Sequence, residues 1–280
     1  NCDGAADLIV RGGYTSGDYC MLVSESSENG ITPLVRQSEI ELISEEDTWS
    51  RPYLVDFDGD GTVEILNMYD NNTGNLYTID HNGKLVKSNG FDFGTSYYCM
   101  GDFNADGKTD VITMGTTGKP DTGWEMNFST GMTGEGETSF VSEPITSLFN
   151  PKDKQIFVAD INGDGYDDLY VVGKKINKNQ TAPVDIYIND RTGKTFSHYT
   201  GSNTVGTDKA NFRIADFNGD GKADFICYPN SKRPSVPINL HVSTNTGGNA
   251  LISITDGLGN HTNIRYAKLT DGQVFRRGTL

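Results

Sequence analysis

Short runs of β-branched and aromatic residues alternate along the chain with acidic segments that contain glycine. The clearest stretch predicts four strands, at Ile156–Ala159, Asp168–Val172, Val184–Ile188 and Thr195–Tyr199. Such residues favour strands, and the turn Asn189–Gly193 has the composition that joins two of them. We therefore predict a four-stranded antiparallel sheet in this stretch.

The same arrangement recurs less regularly in the rest of the chain. Earlier strands are predicted near Leu8–Arg11, Tyr19–Val23, Glu39–Ile43, Leu76–Ile79 and Leu85–Lys87, and polar stretches at Thr116–Asp121 and Ser129–Thr138 flank Trp124–Asn127. Later strands are predicted at Ile238–Val242, Leu251–Thr255 and Asn263–Tyr266, with a turn at Asp256–Asn260 before the last. This C-terminal piece departs from the repeat.

An acidic phrase of nine residues marks the repeat. Complete copies begin at Asp56, Asp102, Asp160 and Asp216, at intervals of 46, 58 and 56 residues. A truncated copy begins at Asn1, so we expect a fragment or mature segment of a longer protein. Repeats of this length that hold several strands are typical of propeller blades. The predicted fold class is all-β: a β-propeller of four-stranded blades, partial or truncated, with metal loops between strands.

The residues of the phrase are suited to a calcium ion. Oxygen side chains occupy positions 1, 3, 5 and 9, position 6 is glycine, and position 7 can offer its backbone carbonyl. Ca²⁺ prefers about six to eight oxygen ligands, and glycine allows the backbone to turn sharply around it. The candidate ligands are Asn1, Asp3 and Asp7; Asp56, Asp58, Asp60, Thr62 and Glu64; Asp102, Asn104, Asp106, Lys108 and Asp110; Asp160, Asn162, Asp164, Tyr166 and Asp168; and Asp216, Asn218, Asp220, Lys222 and Asp224.

Two other readings of the phrase compete with this one. An EF-hand needs glutamate at position 12, where this chain has Asn67, Thr113, Val171 and Cys227. The flanking runs also predict strands rather than helices. A single copy could be a plain Asp/Asn/Gly turn, but recurrence in one register favours metal binding. A structural role for the ion is the default, and a regulatory role stays open.

The net charge of the chain limits the classes of partner that it can bind. The formal net charge is −15, and 16 of the 38 acidic residues lie in the phrases. Nucleic acids require lysine and arginine patches, so they are excluded as partners. The crowded carboxylates predict a metal-free form of lower stability. Millimolar calcium is an extracellular condition, which predicts a secreted or cell-surface protein, and no stretch is apolar enough to span a membrane.

Other candidate chemistry is sparse, and we predict no enzyme activity. The four histidines share no spacing, and neither a nucleophile elbow nor a phosphate-binding loop is present. Cys99 and Cys227 are predicted to be buried thiols, whereas Cys2 and Cys20 flank a short hairpin and could pair. The aromatic residues Trp49, Trp124, Tyr97, Tyr98, Tyr166 and Tyr170 could form a sugar-stacking surface, although core packing is favoured for most of them. Phe57, Phe103, Ile161 and Phe217, at phrase position 2, are predicted to pack between blades.

At these loops the sequence resembles the FG-GAP/VCBS repeat family over about residues 1–230. The resemblance implies an integrin-α-like β-propeller with calcium held between two strands. Seven blades are usual in that family, more than the five phrases of this chain. We divide the chain into propeller repeats at 1–245 and a C-terminal exit segment at 246–280.

The tail from Ile254 to Asp271 is similar to the segment that follows the propeller in B components of bacterial toxin complexes and in Rhs/YD-repeat proteins. That resemblance implies a non-catalytic propeller that gates or assembles a shell around a toxic cargo. The expected function is a calcium-binding scaffold, with a protein or the rest of a larger parent chain as partner. The alternative is a lectin-like or polysaccharide-active propeller that takes a glycan.

Overall fold

The computed structural model describes residues 8–11, 19–23, 26–27, 30–31, 35–40, 50–69, 72–79, 85–95, 97–115, 123–132, 137–173, 184–200, 210–229, 239–243 and 252–265. These residues form strands, turns and bends, and they contain no helix. Among them, accordingly, no helix is long and apolar enough to cross a membrane. The fold class is all-β, as predicted.

The strands are, in chain order, β1 Leu8–Arg11, β2 Tyr19–Val23, β3 Ser26–Ser27, β4 Gly30–Ile31, β5 Val35–Ile40, β6 Ser50–Val55, β7 Glu64–Tyr69, β8 Thr73–Ile79, β9 Leu85–Asp92, β10 Tyr98–Gly101, β11 Asp110–Thr113, β12 Trp124–Met132, β13 Thr138–Ile145, β14 Lys154–Ala159, β15 Asp168–Gly173, β16 Val184–Asn189, β17 Phe196–Thr200, β18 Ala210–Ala215, β19 Asp224–Pro229, β20 Asn239–His241, β21 Ser253–Thr255 and β22 His261–Asn263.

Four successive antiparallel sheets form the four blades of a β-propeller. Blade 1 has the strand order β6-β7-β8-β9, blade 2 β10-β11-β12-β13, blade 3 β14-β15-β16-β17, and blade 4 β18-β19-β20. Each strand pairs with the next along the chain, so short connections suffice. Smaller sheets, β1-β2-β5, β3-β4 and β21-β22, lie before and after them in sequence. The four strands predicted between residues 156 and 199 are confirmed as β14–β17.

The second strand of a blade is its most buried one. In β7 and in β15 the first five residues are all buried. Each of these strands pairs on both sides, β7 with β6 and β8, and β15 with β14 and β16. With both edges paired and both faces covered, such a strand requires a continuous apolar run, as in Ile65–Leu66 and Leu169–Val172.

The chain separates into two compact units. The first contains residues 1–102, 106–147 and 280, and the second contains residues 103–105 and 148–279. In the first, Phe57, Leu66, Met68 and Leu76 of blade 1 cluster with Val111 of blade 2. In the second, a cluster joins residues of blades 3 and 4, namely Ile161, Tyr170, Val172, Val184, Phe212, Phe225 and Cys227. Within each unit, the apolar core therefore lies between two consecutive blades.

Two strand predictions need correction. The stretch after Trp124–Asn127 was read as polar, yet β12 continues to Met132, and β13 begins at Thr138. A polar residue of this stretch can lie inside the sheet when its hydrogen bonds are made: Ser129 is buried, its backbone N–H donates to Asp110, and its hydroxyl donates to the Phe57 carbonyl. The second strand of the C-terminal hairpin lies earlier than predicted, at His261–Asn263 rather than Asn263–Tyr266, since Asp256 accepts the N–H groups of Leu258 and Asn260 and fixes a tight turn.

Gly74 of β8 is required by the close approach of β7. A Cβ added there would lie 2.5 Å from Met68 Sδ and 2.7 Å from the Asn67 carbonyl oxygen. We expect Gly74→Ala to lower the free energy of unfolding by about 1–3 kcal/mol, the usual range for overpacking. Urea unfolding measures this, with Gly257→Ala as control, since a Cβ there meets no atom within 4 Å. Equal stability of the two variants would contradict the packing.

Candidate metal centres

The loop between β6 and β7 is wound around the side chain of Asp56. One carboxylate oxygen accepts the N–H of Gly59 at 2.7 Å, and the other accepts the N–H of Gly61 at 3.0 Å. Asp58 accepts the N–H of Asp60 at 3.2 Å, and Asp60 accepts the N–H of Thr62 at 2.6 Å. These bonds turn the side chains at phrase positions 1, 3 and 5 towards the inside of the loop, as the spacing of the phrase predicts.

Among the described residues, one group of acids could hold a metal ion by itself. Ligand oxygens of Asp56, Asp58, Asp60 and Glu64 all lie within 4.8 Å of one another. Burial raises the pKa of Glu64 to about 7 although the Phe57 N–H donates to it, and the three aspartates raise it further. Four carboxylates this close repel one another unless a cation lies between them, so the donor set fits Ca²⁺.

The other three described loops repeat the winding but have asparagine at position 3. Asp160 accepts the N–H groups of Gly163, Asp164 and Gly165, and Asp216 accepts those of Gly219, Asp220 and Gly221. Asp102 accepts those of Asp106 and Gly107. Although burial opposes it, these donors hold the pKa of Asp216 below its usual value. At ligand positions 1, 3, 5 and 9, each of these loops therefore offers one carboxylate fewer than the first.

Basic side chains reach the acids of two of these loops. Arg191, on the turn between β16 and β17, donates from Nε to Asp164 Oδ2 at 3.0 Å, and the Asp164 side chain is only 6% exposed. Lys108 Nζ lies 3.2 Å from Asp106 Oδ2. A guanidinium or ammonium group on a position-5 carboxylate supplies part of the positive charge that an ion would bring. The first loop contains no basic residue between Asp56 and Glu64.

The carboxylate at position 9 is buried and tied to the backbone of its own blade. Asp168 is fully buried and accepts the N–H of Ile161 at 3.0 Å and that of Asn189 at 2.8 Å. Burial raises its pKa to about 7, although both N–H donors lower it. Asp224 accepts the N–H groups of Phe217 and Ser243 in the same way. Position 9 therefore fastens strand three of the blade to the loop, a role that the sequence did not indicate.

The first three of the four described loops are also tied to the blade that follows them. In the first unit, Ser129 Oγ donates to the Phe57 carbonyl at 2.6 Å, and the Thr109 N–H donates to the Asp56 carbonyl at 2.6 Å. In the second unit, Ser243 Oγ donates to the Ile161 carbonyl at 2.8 Å, and the Ala223 N–H donates to the Asp160 carbonyl at 2.8 Å. Asn189 Nδ2 donates likewise to the Phe103 carbonyl at 2.8 Å.

Glycine at phrase position 4 gives room for this junction. Gly59 has φ +74°, and a Cβ there would lie 2.9 Å from the Lys108 Cγ of the next loop. Gly163 has φ +76°, and a Cβ there would lie 3.0 Å from Lys222 Cγ. In these two loops the left-handed backbone and the lysine stem both disfavour a side chain, whereas the second loop has Ala105 at this position with φ +58°. The acidic loops are thus the places where consecutive blades meet within each unit.

Sequence reasoning missed the polar residues that complete the loops. Ser129 and Ser243 each lie 19 residues after the position-9 carboxylate of their blade, and Asn189 lies 21 after its own. A serine or asparagine at that offset is the only local signal, because the carbonyl that each side chain reaches is 72 to 86 residues away in sequence.

The remaining predictions have mixed outcomes. Phe57, Phe103 and Ile161 are buried as predicted, but Phe217 is 43% exposed. Its loop belongs to the last of the four blades, and no further four-stranded sheet follows it among the described residues. Cys99 and Cys227 are buried thiols. Trp124 is 1% exposed and Tyr170 5% exposed, so both belong to the core rather than to a sugar-stacking surface. Asn1, Asp3, Asp7, Cys2 and Trp49 lie outside the described residues.

Comparisons with known proteins agree with the repeat. A family model described as an FG-GAP-like repeat matches residues 56–113, 102–171 and 160–227, which together span more than half of the chain. A search of curated proteins found no match. Each family match runs from one acidic loop past the next, and so includes the junction between two loops.

Two solved structures are similar in fold. One is an Agrocybe aegerita lectin that recognises non-reducing terminal N-acetylglucosamine, with 18% identity and a TM-score of 0.48, over 85% of this chain and 66% of that chain. The other is a protein from Lactobacillus plantarum, with 12% identity and a TM-score of 0.42, over 88% of this chain and 64% of that one. The chain therefore spans just under two thirds of either structure.

Proposed function

This chain belongs to the FG-GAP-like repeat family, and on that premise we propose that it is a calcium-stabilised, non-enzymatic scaffold that presents a binding surface. The observation that carries the proposal is the group Asp56, Asp58, Asp60 and Glu64, whose oxygens lie within 4.8 Å of one another. The loop that holds them is hydrogen-bonded to the next blade. When bound there, calcium supplies charge neutralisation, and the loop residues keep the junction between blades in one geometry.

Calorimetric titration of the chelator-treated chain with Ca²⁺ tests this role. We expect at least one site in the range of about 10⁻⁴–10⁻³ M that extracellular calcium modules show. Asp58→Asn should weaken the tightest site severalfold, because it removes one of four clustered charges and leaves the amide oxygen that the other three loops have at this position. Asp185→Asn, which changes a carboxylate outside the loops, should leave that site intact. If the titration detects no heat of calcium binding, the metal no longer belongs to the proposal.

The loops should differ in affinity, because Arg191 already neutralises Asp164. We expect Arg191→Ala to tighten calcium binding at the third loop severalfold, since the ion no longer competes with a guanidinium group. The half-exposed ion pair contributes less than about 1 kcal/mol to stability, so folding should be preserved. Lys194→Ala removes the same charge from the same hairpin and serves as the control. Equal affinities for both variants would show that Arg191 does not compete.

A larger parent protein of the toxin-complex or Rhs type is the setting we propose for the scaffold. The support is the similarity of the tail from Ile254 to Asp271, of which β21, β22 and their turn at Asp256 form a part. Secretion or surface display accords with a calcium site of extracellular affinity. The partner is then the rest of the parent chain or another protein. The coding sequence downstream of residue 280 tests this: a YD-repeat array supports it, and a catalytic module contradicts it.

A further inference from the structure

An open cleft lies between blades 1 and 2 in the first unit. Its volume is about 370 Å³, and it lies between the end of β9 and one face of β11, β12 and β13. The lining positions alternate along each strand: Val111 and Thr113, Glu125 and Asn127, then Thr138, Phe140 and Ser142. Since alternate residues of a strand share a face, a single surface of blade 2 forms this wall. We call it the β9–β13 cleft.

The inner part of the β9–β13 cleft is apolar and rigid. Val111 is 1% exposed. The ring of Phe91 stacks on that of Phe57 with centroids 5.5 Å apart, and the ring of Phe140 meets the same Phe57 edge-on at 5.4 Å. Because both rings pack on the buried Phe57, they offer fixed apolar surface to the cleft.

The outer part is polar and negatively charged. Asn127 is fixed in orientation, because it donates to the Val111 carbonyl at 3.0 Å and accepts from Ser142 Oγ at 2.6 Å. The carboxylates of Asp92 and Glu125 lie at the exposed rim. Thr138 Oγ is buried and has no hydrogen-bond partner among the described residues. A buried hydroxyl normally has a partner, so this one points to a group that the cleft would receive.

We propose that the β9–β13 cleft binds one pyranose unit of a neutral saccharide. A pyranose has an apolar C–H face for Phe91 and Phe140, and hydroxyl donors around its edge for Asp92 and Glu125. Thr138 Oγ can pair with one of those hydroxyls. The two carboxylates repel anionic ligands such as phosphates and uronic acids. The volume lies at the lower end of small-molecule sites, which suits a single sugar ring. This inference names a ligand for the binding surface proposed above, and so rests on that function.

The test is a titration of the whole chain, in millimolar calcium, with neutral methyl glycosides. Methyl glucoside, galactoside, mannoside and N-acetylglucosaminide are followed by saturation-transfer NMR and calorimetry, with methyl glucuronide as the anionic comparison. We expect saturable binding of at least one neutral sugar and at least tenfold weaker binding of the glucuronide. Ser142→Trp should fill the cleft and weaken binding at least tenfold. Val141→Trp places the same ring on the opposite face of β13, where Val141 is exposed, and should bind as the parent does.

Absence of binding by every neutral glycoside would overturn the proposal, as would unchanged binding by Ser142→Trp or an equal loss in Val141→Trp. Preference for the glucuronide would overturn it too, because the carboxylates of Asp92 and Glu125 should repel an anionic sugar. If the chain binds no sugar but its melting temperature still depends on calcium, the sugar proposal fails and the scaffold role stands. If the chain binds sugar and calcium has no effect, the metal role fails and the sugar proposal stands.

Discussion

We expect chelation of calcium to lower the melting temperature of this chain by roughly 5–15 °C. An ion at tenfold excess over its Kd stabilises the folded state by about 1.4 kcal/mol per site. In a chain of this size each kcal/mol moves the melting temperature by about 2–4 °C. The four described loops share this effect unequally, and the largest part belongs to the loop with Asp56, Asp58, Asp60 and Glu64. Differential scanning calorimetry with calcium and with EDTA measures the shift.

A variant in the first loop separates this effect from general screening of the acidic surface. Asp58→Asn should lose part of the calcium-dependent shift, because its first loop then carries the same position-3 amide as the other loops, whereas Asp185→Asn should retain all of it. Magnesium at the same concentration should restore less, because it requires a small octahedral site and releases its water reluctantly. Identical melting curves with calcium and with chelator would contradict the structural role of the metal.

We expect Asp168→Ala to destabilise the folded chain by about 2–5 kcal/mol, even in EDTA. Asp168 is fully buried and accepts the backbone N–H groups of Ile161 and Asn189. Removal of the carboxylate leaves both donors without their acceptor, and each buried donor left unpaired costs about 1–3 kcal/mol. Urea unfolding in EDTA measures the loss without any contribution from a bound ion.

The neighbouring Asp167→Ala is the matched control, since it removes a carboxyl group from the same loop but neither of these two bonds. We expect it to change the free energy of unfolding by less than about 1 kcal/mol. Asp168→Asn should fall between the two, because the amide keeps one acceptor oxygen but turns an N–H₂ group towards the other donor. If Asp168→Ala were destabilised only when calcium is present, the Asp168 carboxylate would act by binding the ion and not by accepting the N–H groups of Ile161 and Asn189.

The strands and the winding of the loops could be predicted from the sequence because their signals are local. β-branched and aromatic runs predicted β14–β17, and the spacing of Asp56, Asp58 and Asp60 predicted a loop that turns them inwards. The burial of Phe57 and Phe103 followed from their position beside the ligands. All of these features depend on residues within about one turn or one strand of each other.

What joins one blade to the next could not be predicted. Ser129 contacts the carbonyl of a residue 72 positions earlier, and Ser243 that of a residue 82 earlier, and no periodic pattern encodes either distance. Arg191 lies on a turn whose composition predicted only a bend, yet its side chain crosses to Asp164 of another hairpin. The face that lines the β9–β13 cleft likewise becomes visible only when the register of β11, β12 and β13 is known.

The side-chain bonds to the carbonyl at phrase position 2 run in one direction. Each is donated by the later blade to the loop of the earlier one, as Ser129 does to Phe57 and Ser243 does to Ile161, whereas the Asp56 N–H donates in the opposite sense, to Thr109 Oγ1 at 2.9 Å. A deletion series should therefore be asymmetric: trimming whole repeats from the N-terminal end leaves each remaining side-chain bond in place, whereas trimming from the C-terminal end removes the side-chain donor to the last of these carbonyls. Gain or loss of a repeat by gene duplication would be tolerated most readily at the front of the array.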